Sequence, residues 1–564
     1  MKGLWLIFLA SVVIMTVAAF FFVNRVLSFK LYKNGYPMTL FILFVNMFLL
    51  LSITYLLPLD VFYAAQSVGK DTPLAPNGTA SAIYTRTDIQ MQTQGDILST
   101  PTTSPNFHFL WNFLYWSQFA ICWFILPVLI SYVDLKYLYP RDSSDSWTYI
   151  MKRVQTAIYM NLKFYVFCAI ALLLGLLYLF MATRHGIKDI KPLIIAMSHL
   201  YSLSYTLILL SNGLVKLPKS LLLQEQNEKK MFVKLSQNNE DLNEAKLGLL
   251  EVAEKIISLN VENQADLDLQ QAVQECQMEV QRKCNELQLT IPKLSTNSHV
   301  HTIELSKLNN YYNTFSKEYY NYTYHQANAD EIIHTLVRSQ SKAISIPLNL
   351  SAKISGFVLM LLSILVFLLQ VTPVKFGHAW IFMGKTFWNF LLEMSILLHN
   401  TICSLYSLLH VKIHNFHLVR NGNSSPKNAL YFSLYSSRLL FPLCFNYMTL
   451  VPRATDVEHK SGFDKVLYHQ LERVPLAKFL NEYLPIFFVL IVPLSQYFDL
   501  KDKLLSKVLG EEYYYQLFGS ISTDDRPLTT STTQRTRVDE DYEYSLQDGQ
   551  YLFERATSNY DMHV

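Results

Sequence analysis

Apolar residues in this chain come in long runs rather than in narrow stripes. Nine runs stand out, at 4–23, 38–59, 108–133, 164–183, 192–215, 347–371, 386–411, 429–451 and 479–500. A helix needs roughly 20 mostly apolar residues to cross about 30 Å of hydrocarbon, so each run is read as a membrane-spanning helix. The first is too long for a signal peptide and has no small-residue cleavage site after it, and is expected to be retained. Between the fifth and sixth runs the pattern changes. Leu235, Leu242, Leu249 and Ile256 recur every seven residues, Ala245, Val252 and Leu259 follow at the three-residue offset, and Asn238 interrupts the seam. Val273, Val280 and Leu287 resume the step after a break near 260–266. Pro292 then marks a turn, and Leu305, Leu308, Tyr312, Phe315, Tyr319 and Tyr322 form a second seam. Two heptad helices leaving the membrane on either side of a proline turn predict an antiparallel coiled-coil hairpin. Unbroken, its longer arm would project roughly 90 Å.

The expected fold is therefore all-α: membrane helices over 1–220 and 346–500, a cytoplasmic hairpin over 221–345, and a tail over 501–564. The tail from Glu511 onward carries 11 acidic and 4 basic residues in a Ser/Thr-rich context and is expected to be disordered and a candidate for phosphorylation. Composition agrees with a lipid environment. The chain is 51% hydrophobic and 16% charged, with mean hydropathy +0.18, whereas soluble domains carry about 25% charged residues. A net charge of +3 over 564 residues excludes a nucleic-acid partner. The Pro/Thr/Ser-rich loop 61–107 holds a sequon at Asn77, which as a glycosylation site puts that loop outside and the hairpin inside. The sequons at Asn321, Asn349 and Asn423 would then be unused.

Polarity inside lipid is costly and marks candidate sites. Glu393 in the seventh run and Arg438 in the eighth lie at depths differing by roughly 10 Å, close enough to pair or to line a cavity. His199 and Asn212 belong to the same class. Asp60 and Asp134 end their runs and are expected to face interfacial water. His410, His414 and His417 share a helix face at the membrane boundary, where headgroup contact is the expectation. Of six cysteines, Cys122, Cys168, Cys403 and Cys444 fall in apolar runs, while Cys276 and Cys284 are expected to be solvated. No zinc spacing, phosphate loop or catalytic motif is present; the expectation is no enzyme, no metal and no cofactor.

The stretch "LWNFLYWSQFAICWFILPVLISYVD" adds a finer signature. Its Tyr115-Trp116, Trp123, Leu126-Pro127 and Ser131-Tyr132 resemble the third span of the limb-region membrane protein family. Four further stretches agree in order: "YLLPLDV" with Pro58 and Asp60, "NGLVKLPKSL" with Pro218, "SSRLLFPLCFNYM" with Pro442 and Asn446, and "FLNEYLPI". That family includes lipocalin-interacting receptors, the lysosomal cobalamin exporter and a branch linked to receptor signalling, and the long heptad loop most resembles the last. In this sequence Leu440-Phe441-Pro442 replaces the family's double proline, and the glycine-rich segment that often follows the third span is missing. Trp111 and Tyr132 should anchor the two interfaces, with Trp116 and Trp123, two turns apart, facing inward towards a kink at Pro127.

Two functions are expected from these features. The first is a receptor-like or scaffolding protein that modulates membrane-receptor signalling through its cytoplasmic coiled coil, with a receptor, a signalling protein or a second copy as partner. The alternative is a transporter of a small organic ligand through a cavity between bent helices near Glu393, Arg438 and His199. The resemblance implies a multi-pass location, at the plasma membrane rather than a lysosomal or other internal membrane.

Overall fold

Hydrocarbon offers backbone amides no partner, so a chain crossing it must satisfy them within each segment, and a helix does so. The computed structural model follows this rule. It describes residues 2–32, 36–67, 107–139, 146–183, 190–222, 228–259, 267–291, 303–340, 342–374, 378–382, 386–410, 418–419, 422–452, 461–498 and 532–560. The principal helices are α1 (Lys2–Val26), α2 (Pro37–Ser67), α3 (Phe107–Val133), α4 (Ser146–Met160), α5 (Leu162–Thr183), α6 (Ile190–Leu222), α7 (Glu228–Ile257), α8 (Leu267–Glu286), α9 (Leu305–Gln340), α10 (Lys342–Val371), α11 (His378–Phe382), α12 (Phe387–His410), α13 (Pro426–Ser437), α14 (Leu440–Leu450), α15 (Pro475–Tyr497) and α16 (Thr532–Tyr560). No strand occurs among the described residues beyond an isolated bridge between Leu27 and Asn423.

Among the described residues, seven helices are long and apolar enough to cross a membrane, and α4 with α5, bent by 44°, makes an eighth if the two form one span. The expected span at 429–451 is not one helix but two, α13 and α14, with the break at Arg438 and Leu439. The chain is an all-α polytopic membrane protein. α6 sits at its centre, packed on α12, α10 and α15. Gly213 lets α6 approach α12 so closely that a Cβ there would lie 2.1 Å from the Cys403 carbonyl oxygen.

The described residues between α6 and α10 form three helices. The expected heptad residues Leu235, Ala245, Leu249 and Ile256 are buried in α7, and Leu308, Tyr312, Phe315 and Tyr322 in α9. These two helices run antiparallel, with Ser339 bonded to Glu228 at one end and Asn238 to His325 and Asn328 further along. α8 does not prolong α7. Its Gln277 donates to the carbonyls of Ile256, Ile257 and Leu259 at 2.9–3.2 Å, whereas a continuous helix would carry Gln277 about 30 Å past Ile257. Cys276 and Cys284, expected in solvent, are fully buried in this folded-back layer.

Nor does the arm project freely. Tyr320 meets Tyr32 hydroxyl to hydroxyl at 3.3 Å, and Asn309 and Asn313 donate to the Asp134 carbonyl at 2.8 and 2.9 Å. The arm lies against the ends of the membrane helices. The tail also departs from expectation, since residues 532–560 form α16, which packs on α7. Net acidity masked a helical spacing. Tyr542, Leu546, Gly549 and Phe553 share one face of α16, and Phe553 is buried against Phe232, Leu235 and Leu336, a surface that exists only once α7 and α9 have paired.

Candidate functional site at a broken membrane helix

The break between α13 and α14 begins with Pro442. Its ring offers no N–H to the carbonyl of Arg438, four residues back, and crowds it. The chain compensates with a tight turn, Leu439 N–H to the Ser436 carbonyl at 3.1 Å. Side chains from two distant helices do the rest. The Asn46 amide of α2 donates to the Ser433 carbonyl at 3.0 Å and to the Ser436 hydroxyl at 3.1 Å. Gln118 of α3 donates to the Asn46 carboxamide oxygen at 3.0 Å and to the Ser437 carbonyl at 3.4 Å. Both amides are buried.

Arg438 caps the C-terminal end of α13, where aligned carbonyls favour a cation. Its guanidinium donates to the Tyr201 hydroxyl at 3.2 Å and lies over the rings of Tyr201 and Tyr435, 5.0 and 5.8 Å from their centroids. No ion pair joins it to Glu393, which is fully buried and accepts from the Tyr447 hydroxyl at 3.4 Å. Of the two arrangements expected for these charges, the pair is not formed. His199 bonds through Nε2 to the Asn481 oxygen at 2.9 Å, which assigns the proton to Nε2, and its ring packs edge-on against Phe445. Asn212 accepts from Gln496, tying α6 to α15. A cavity of about 30 Å³ lies among Gln118, Trp123, His199, Arg438, Phe441 and Phe445. That is room for a water or two.

Several expected positions are moved. Asp60 does not face water: it is buried and accepts from Trp111 Nε1 at 2.9 Å and from the amides of Gly462 and Phe463 at 2.9 and 2.7 Å. Trp111, expected at the interface, is fully buried as its donor. Asp134 pairs with Lys427 at 2.6 Å. Trp116 turns outward, 39% exposed, while Trp123 packs on Phe164 and Tyr201. The reason lies between them. Pro127 cannot bond the Trp123 carbonyl, and the helix relaxes to a π turn over Ile121–Ile125, with the Leu126 amide bonded to the Ile121 carbonyl. The extra residue rotates the following face by about 100°. Pro58 and Pro218 sit inside unbroken helices, and Asn446 is buried in α14. His410 bonds the Tyr406 carbonyl; His414, His417 and Asn77 lie outside the described residues.

Sequence reasoning missed Asn46, Gln118, Asn481 and Tyr201. Asn46 in "LFVNMF" and Gln118 in "YWSQFA" were visible as amides in lipid, the same signal that singled out Glu393.

A second polar cluster joins the membrane helices to the arm. Glu279 of α8 accepts from Lys136 at 2.5 Å and from the hydroxyls of Tyr137 and Tyr312 at 2.6 Å each, with Lys283 at 3.5 Å. Burial alone would push its carboxyl up, but Lys136 and Lys283 beside it, with the bonds from Lys136 and Tyr137, hold it down at about 2. The buried thiols of Cys276 and Cys284 are pushed up to about 12 and about 11, which keeps them protonated and unreactive.

Helices of membrane-crossing length around a buried polar seam define a multi-pass membrane protein with a folded extramembrane arm. The chain belongs to the LMBR1-like membrane protein family, whose sequence model matches residues 4–501. Over 113 residues it is 31% identical to the G-protein coupled receptor-associated protein LMBRD2 of Caenorhabditis briggsae, a stretch covering 20% of this chain and 16% of that protein. No solved structure matches.

Proposed function

We propose that this protein is a receptor-associated scaffold of a cellular membrane, in which the arm and α16 form a cytosolic platform held against the membrane helices. The observation that carries this reading is the clasp at α3: Asp134, Lys136 and Tyr137 bind Asn309, Asn313 and Glu279. A rearrangement of α3 is thereby passed to a surface in contact with cytosol. The name of the Caenorhabditis relative supports a G-protein-coupled receptor as the partner class; a cytosolic signalling protein or a second copy would bind the same platform. The plasma membrane is the location this role requires, with the Asn77 loop outside. A glycosidase-sensitive mass shift abolished by Asn77→Gln tests that orientation.

The transport reading rests on the break at Arg438, since interrupted helices build substrate sites in transporters. Here Asn46 and Gln118 of the chain itself take up the free carbonyls, and the cavity beside them is water-sized. In cells lacking the native protein, Glu279→Gln with Asn309→Ala and Asn313→Ala is expected to abolish modulation of receptor signalling, while Glu393→Gln and Arg438→Gln retain it. The reverse pattern, together with solute flux into reconstituted vesicles, would establish transport instead.

A further inference from the structure

α4 divides its surface into three sectors. Tyr149, Arg153, Thr156 and Ala157 face α3 and the turn after it: Arg153 donates to the Tyr132 carbonyl at 2.8 Å with its guanidinium 4.0 Å from that ring's centroid, the Tyr149 hydroxyl donates to the Lys136 carbonyl at 2.7 Å, and Thr156 meets Tyr139 at 2.6 Å. A second stripe, Trp147, Ile150, Met151, Val154 and Ile158, recurs at helical spacing. It faces away from the protein, with Trp147 69% exposed and Ile158 47%. Lys152 and Gln155 fall between the two, also exposed.

We infer that α4 runs obliquely along the membrane boundary on the arm's side rather than crossing, its Trp147–Ile158 stripe sunk between headgroups and acyl chains. Three observations fix the bilayer as occupant. One residue, Asn161, separates α4 from α5, whose apolar surface is exposed along its length, so the stripe cannot leave the membrane's edge. The 44° bend turns α4 out of the direction of α5. Its inner face grips residues 132–139, level with Lys136 and the arm, whereas a crossing α4 would carry Lys152, Arg153 and Gln155 into hydrocarbon, where charged and amide groups are costly. An interfacial helix of this kind buries its apolar face about 5–10 Å deep, and Lys152 and Lys163 sit where headgroup phosphates lie. Through Tyr149 and Lys136 the same helix touches the Glu279 clasp, so the leaflet and the arm share one strut.

The test uses the full-length protein in vesicles whose acyl chains carry bromine near either the ester or the methyl end. The difference in tryptophan emission between the native chain and Trp147→Phe isolates Trp147, and its exposed position lets phenylalanine replace it without disturbing the fold. Ester-end bromine is expected to quench most of that difference, with methyl-end bromine and aqueous iodide quenching little. Ile150→Gln with Ile158→Gln should transfer the quenching from bromine to iodide. Dominant quenching by methyl-end bromine would make 146–160 part of a crossing. Dominant quenching by iodide, or quenching by neither, would leave the stripe in water or against protein. Any of these overturns the assignment.

Discussion

Replacing Gly549 with valine should lift α16 off α7. A Cβ at 549 would lie 2.0 Å from the Phe232 carbonyl oxygen and 2.5 Å from its carbon. Those are backbone atoms in the second turn of α7, and no side-chain rotation relieves the overlap. The helices must part by more than 1 Å, and the contacts flanking the glycine go with them. Phe553 is buried beside Phe232, their rings 5.7 Å apart, which stabilises docking by about 2–3 kcal/mol. The Ser236 hydroxyl donates to Asp548 at 2.7 Å, a half-exposed bond contributing about 1 kcal/mol. Together these give roughly 3–4 kcal/mol, or two to three powers of ten in the protection of α16 amides from exchange at about 1.4 kcal/mol per tenfold. Hydrogen exchange read by mass spectrometry on peptides covering 542–556 should show that loss in Gly549→Val, while α6 and α12 stay protected. If those peptides exchange as in the native chain, the close approach does not hold the tail and the reasoning fails.

Two further outcomes follow from the polar clusters. The Glu279 carboxyl lies at about 2 in the folded chain against an ordinary 4.5, so its contribution is complete above 4.5 and is lost as pH falls from 4.5 towards 2. Melting of the solubilised protein should be flat near neutrality and fall in that acid window, whereas Glu279→Gln should begin about 3 kcal/mol weaker and lose the dependence; an unchanged acid limb would refute it. Gln118→Leu removes the donor to the Ser437 carbonyl and leaves Asn46 half-satisfied, at a cost of about 1–3 kcal/mol, read as a lowered melting temperature that Gln118→Asn does not restore because its shorter chain cannot span the gap.

What the sequence made legible was set by solvent. Apolar runs name helices because lipid leaves the backbone no alternative, and the seams around Leu249 and Phe315 name the faces that α7 and α9 bury. What it hid depends on partners far along the chain. Asp60 sits at the end of a run, where water is the reasonable neighbour, and only the fold brings Trp111 and the amides of Gly462 and Phe463 to it. Trp116 and Trp123 obey a two-turn spacing that a π turn cancels. The acidic tail reads as disordered by charge alone, because its docking surface is made of residues about 200 to 320 positions earlier. The family resemblance located the stretches around Pro127 and Pro442 but not the π turn that accommodates the first or the Asn46 and Gln118 amides that repair the second.

Those amides have a consequence for how the protein is made. Asn46 bonds residues 387 and 390 positions downstream of it, so it enters the translocation channel long before its partners have been synthesised. Until the ribosome reaches the segment around Ser436, Asn46 and Gln118 must shelter against each other or beside an insertion chaperone. Biogenesis, more than the finished protein, is where a substitution at either position would first be felt.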